Sequence, residues 1–100
     1  MYRQGDVLII KASEIPKGVR KEKPQNGRLV LAEGEATGHA HAISAKHAMM
    51  YMLGTAMYIR ALREAEIEHE EHATIRLPAG DYHVIRQQEY TPEGLRYVAD

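Results

Sequence analysis

The chain has 100 residues, no cysteine, and 13 lysines and arginines against 14 aspartates and glutamates, for a formal charge of −1. That length makes one domain, residues 1–100, able to bury roughly two thirds of the surface its unfolded chain exposes. The charge balance excludes a strong overall field for nucleic acid, and the missing thiols exclude disulfides, thiolate ligands and a cysteine nucleophile.

Along the chain, Gly5-Asp6 precedes VLIIKA, a run rich in β-branched residues that reads as a strand. SEIPKGVRKEKPQNG carries prolines, glycines and charges and reads as a loop, closed by the tight-turn pair Asn26-Gly27. RLVLAEG is a second strand and HAHAIS, opened by Gly38, a third. Residues 45–72 allow two readings. Met49, Met52, Leu53 and Ala56 fit a helical spacing, whereas AMMYML and AMYIRAL around Gly54 make a hairpin. Strands are expected, because every clearer segment is strand-like and the helix rests on propensity alone. ATIRL alternates, Pro78-Ala79-Gly80 turns the chain, and DYHVIRQQEY is another strand. Thr91-Pro92-Glu93-Gly94 has the pattern of a type I turn before a last strand, LRYVAD, with a Thr91-capped helix as the rival. Seven or eight short strands predict an all-β, mostly antiparallel fold, a small barrel or sandwich. The apolar runs are too short for a secretion leader or for the ~20 residues of a spanning helix, so a cytoplasmic protein is expected.

Four of the 6 histidines fall in two clusters, TGHAHAIS at 37–44 and EIEHEEHA at 66–73. On a strand His39 and His41 share a face with Ile43, and two imidazoles so placed can hold one divalent ion at about 2.0–2.1 Å each. A single strand over 67–77 puts His69 and Glu71 on the inner face. A bulge, a turn or a helix in the Glu-rich stretch brings in His72 as well. Glu70 or Glu71 is a further ligand, an acceptor orienting an imidazole, or a general base. His83 shares a face with Ile85, which leaves the inward face open to it, whereas His47 belongs to a turn. The candidate ligands are therefore His39, His41, His69, His72 and His83. The competing reading is a set of solvated surface histidines.

The order Gly34, His39-x-His41, a strand pair, then Pro78-x-Gly80-x-x-His83 resembles the two motifs of the cupin superfamily. The resemblance covers residues 34–87 and implies a small β-barrel with His39, His41 and His83 as metal ligands. Ala45 and Lys46 occupy the place of the first motif's Glu, and His72 that of the second motif's leading Gly. His69 and His72 are then the replacements for that Glu.

Imidazole-rich ligand sets suit Zn, Fe, Ni or Cu rather than Mg or Ca. Three protein ligands leave a position open for water or substrate, the condition for a metal-dependent enzyme, whereas four close the site. The alternative is a non-catalytic accessory module. Its basic loop, Lys17, Arg20, Lys21, Lys23 and Arg28, would meet the phosphates of a nucleic-acid partner, though no aromatic residue within the loop can stack on a base. A homodimer is expected to cover a sheet edge, with a protein partner as a further docking alternative.

Overall fold

A computed structural model describes residues 1–33, 38–91 and 94–97, the strands beyond residue 87 by their backbone alone. Gly34, the Pro92-Glu93 pair and residues 98–100 lie outside the described residues. In chain order the strands are β1 (Tyr2–Gln4), β2 (Val7–Ala12), β3 (Arg20–Lys21), β4 (Arg28–Glu33), β5 (Ala40–Ser44) and β6 (Ala48–Leu53). They continue with β7 (Ala56–Ala61), β8 (Ala65–Glu68), β9 (Ile75–Leu77), β10 (Gly80–Arg86), β11 (Gln88–Thr91) and β12 (Gly94–Tyr97). No helix occurs among the described residues.

The strands form a six-stranded sheet ordered β1-β2-β10-β7-β6-β3, a four-stranded sheet ordered β4-β5-β8-β9, and the separate hairpin β11-β12. Every strand pairing is antiparallel. Alternation along each strand decides which side chains meet in the middle. Val7 and Ile9, Met50, Ile59, Tyr82 and Val84 point in from the large sheet. Leu29, Ile43, Ile67 and Leu77 point in from the small one. Each fully buried Ile or Leu contributes about 1.5–3 kcal/mol, so the sheets are held face to face by their apolar sides. Among the described residues no ladder joins the edges of the two sheets. The fold is therefore a sandwich, and the barrel alternative does not form.

Two local features settle what the sequence left open. Residues 48–61 are a hairpin, paired from Ala48↔Ala61 to Leu53↔Ala56. The apparent helical spacing of Met49, Met52, Leu53 and Ala56 is split between its two strands. Residues 67–77 are not one strand: β8 and β9 pair through Ile67↔Ile75, and the chain reverses over 69–74. The Glu-rich stretch is thus a turn, and it carries His69 and His72 at one end of the small sheet. Asn26 and Gly27 both have positive φ, 53° and 73°, the left-handed pair of a two-residue hairpin turn. Reciprocal bonds between Gln25 and Arg28 close that turn at 2.8 and 3.0 Å.

Candidate metal centre

His39 precedes β5 rather than lying in it. Gly38, at φ 83°, turns the chain through a conformation that L side chains rarely adopt and brings His39 over the 69–74 turn. Ala40, the first residue of β5, donates its amide to Glu70 Oε1 at 2.8 Å, which ties the turn to the strand. The Ala40 amide, and next the Glu70 amide itself, hold the Glu70 carboxyl below the usual carboxylate range. His39 and His69 add smaller effects in the same direction, against the desolvation that opposes them. Glu70 is accordingly an anionic group at neutral pH.

One ligand atom from each of His39, His69 and Glu70 lies within 4.8 Å of the other two. The rings of His39 and His69 meet edge-on, with centroids 5.8 Å apart at 85°. His39 Nδ1 is buried and makes no hydrogen bond among the described residues, and Glu71 Oε1 lies 3.7 Å from it. His69 Nδ1 accepts a bond from the Glu71 amide at 3.0 Å. His72 packs on His69 with centroids 4.6 Å apart and the rings tilted at 48°, so the turn sets two imidazoles against each other.

His41 belongs to a different arrangement. It is 1 % exposed, and its Nδ1 lies 2.8 Å from Gln4 Oε1. The Gln4 amide nitrogen donates to the carbonyls of Ile67 and Ala73, both at 2.9 Å, which fixes Oε1 toward His41 as the acceptor. His41 Nδ1 is therefore the donor. Its Nε2 faces Asp6 Oδ1 at 3.5 Å. Asp6 in turn accepts from Arg86 Nε at 3.0 Å, and Arg86 also bonds the Glu33 carbonyl. Both nitrogens of His41 thus face protein partners. Its ring lies under His69 at 4.3 Å between centroids, forming a floor beneath the candidate ligands.

The histidines at 39, 41, 69 and 72 lie near one another, with neighbouring ring centroids 4.3–5.8 Å apart. His83 does not join them. Tyr82 and Val84 are the inward residues of β10, so His83 shares the outer face with exposed Ile85 and stacks on Tyr58 at 4.9 Å. The face His83 shares with Ile85 is the outer one, so His83 is not a candidate ligand. Gln4, Asp6 and Arg86 carried no sequence signal for this role. Gln4 sits on a three-residue strand, and Asp6 beside Gly5 has ordinary turn chemistry.

A model of a domain of unknown function, DUF8820, matches residues 3–87. The chain belongs to the DUF8820 family. The match spans every residue of the histidine cluster and of the buried network beneath it. No curated protein and no solved structure matches this DUF8820 chain.

Proposed function

We propose that this DUF8820 domain binds one divalent transition-metal ion through His39, His69 and Glu70. The observation that carries the reading is the approach of those three ligand atoms to within 4.8 Å of one another. Around a tetrahedral zinc ion with bonds near 2.0–2.1 Å, neighbouring ligand atoms stand about 3.4 Å apart. The cluster needs to contract by only ~1.4 Å, a movement within reach of side-chain rotation on a turn. Two imidazoles and a carboxylate suit zinc or ferrous iron, and they leave coordination positions open for water or a substrate. Glu71 stands beside this set without belonging to it, its Oε1 3.7 Å from His39 Nδ1, and would be the carboxylate at hand as a general base if a metal were held there. His72 and His41 pack the site rather than ligate it.

The test is elemental analysis of tag-free protein after equilibration with zinc and gel filtration. One zinc per chain is expected for the parent and for His83→Ala. His39→Ala, His69→Ala and Glu70→Gln each lose at least ten-fold in affinity. Full zinc retention by all three variants overturns the assignment.

A further inference from the structure

The outer face of the six-stranded sheet carries a row of side chains that the metal reading leaves unused. Directly paired residues on neighbouring strands project to the same side. The pairings Lys21↔Tyr51, Tyr51↔Tyr58, Tyr58↔His83 and His83↔Ile10 therefore run one continuous row across β3, β6, β7, β10 and β2. Tyr58 and His83 stack nearly parallel, at 18°. The Arg60 guanidinium lies over Tyr51 at 5.9 Å. Tyr51, Tyr58 and His83 are all partly exposed, so their rings are within reach of a flat ligand.

Charge on this face favours an anion. Asp81, the carboxylate beside this row, is taken up by two bonds from Arg60, at 2.9 and 3.3 Å, while Arg20 and Glu22 alternate with Lys21 and pair with each other. Lys21 at the end of the row, with Lys17 and Lys23 on either side of it in sequence, makes no ion pair among the described residues. The basic loop contains no aromatic residue of its own. The β3–β6 pairing supplies one by setting Lys21 directly beside Tyr51.

We propose that this face binds single-stranded nucleic acid, with bases stacked on Tyr51, Tyr58 and His83 and phosphates met by Lys21 and its flanking lysines. Stacked aromatic rings beside lysines suit a strand whose bases are unpaired, because every base offers a flat face and every linkage a negative charge. A duplex hides those faces. The rings lie on the sheet face and the metal cluster lies at one end of the other sheet, so this proposal stands or falls separately from the metal assignment.

The test is fluorescence anisotropy of labelled dT15 with the full chain in 50 mM salt and a metal chelator. Saturable binding is expected. Tyr58→Leu should weaken it at least ten-fold and Tyr58→Phe should preserve it, since stacking needs the ring and not the hydroxyl. Lys21→Glu should weaken binding and flatten its salt dependence, because each phosphate contact released contributes about 0.7 to the slope for a single strand. Circular dichroism confirms that each variant is folded, and Tyr51→Leu serves if Tyr58→Leu is not. Any of three results overturns the proposal: no binding by the parent, equal binding of a duplex of the same length, or unchanged binding in Lys21→Glu and the folded Tyr→Leu variant. A dimer in light scattering that Tyr58→Leu dissociates, without oligonucleotide binding by the parent, would assign the face to a second copy and also overturn it.

Discussion

Gln4 shows how much one residue can hold. Its amide joins β1 to the carbonyl of Ile67, before the 69–74 turn, to that of Ala73, within it, and to His41 beneath the candidate ligands. Gln4→Leu takes that partner from two buried groups, the Ile67 carbonyl and His41 Nδ1, and from the half-buried Ala73 carbonyl. Each buried group costs about 1–3 kcal/mol, so urea denaturation should register a loss of at least ~2 kcal/mol. Zinc affinity should fall with it, because the turn loses its anchor. Tyr82 carries the prediction about pH. It is 2 % exposed and donates to the Pro78 carbonyl at 2.7 Å, and burial raises its pKa above the ordinary 10.0. The folded state thus holds the phenol proton more tightly than the unfolded chain. Stability from this group is complete below about pH 10 and falls as pH rises past it. Tyr82→Phe should abolish this group's share of the alkaline loss in thermal melts recorded from pH 8 to 11, and should cost about 1 kcal/mol at neutral pH for the lost bond.

At the scale of elements, the turn between β8 and β9 is where sequence reading and structure met most closely and also diverged. Every geometry open to the HEEH spacing put His69 on the inner side, whereas His72 followed only from a turn, a bulge or a helix and not from a single strand. The sequence did not say which, since glutamates suit any exposed backbone. The hairpin at 48–61 was legible from Gly54 and from the alternation on either side of it. Strands β1 and β3 were not legible, because YRQ and RK carry no apolar alternation. The turn itself should respond to metal. His69 Nδ1 now accepts the Glu71 amide proton. A metal at Nδ1 displaces that bond, and a metal at Nε2 moves the ring proton to Nδ1, so either route breaks it. Zinc should therefore accelerate hydrogen exchange at the Glu71 amide while slowing it nowhere in the outer sheet. An unchanged Glu71 exchange rate under saturating zinc would contradict this.

Over the whole molecule, two sheets put a polar cluster at the end of one and an aromatic row across the other. The all-β class was readable from turn residues and alternation. The layering was not, because alternation tells which residues share a face and leaves open which face turns inward. His83 makes the point: its periodicity with Ile85 was right, and the core lay on the other side. His41 makes a second one. On a strand flanked by β4 and β8 it is buried, with Nδ1 bonded to Gln4 and Nε2 facing Asp6 at 3.5 Å, residues far away in sequence that no local pattern could connect to it.

The most direct test of the central claim is an anomalous difference map from crystals of the zinc-loaded protein, collected at the zinc edge. The account expects one strong peak within about 2.2 Å of a nitrogen of His39, a nitrogen of His69 and an oxygen of Glu70. A map with no such peak, or with its strongest peak at His47 or His83, would contradict it.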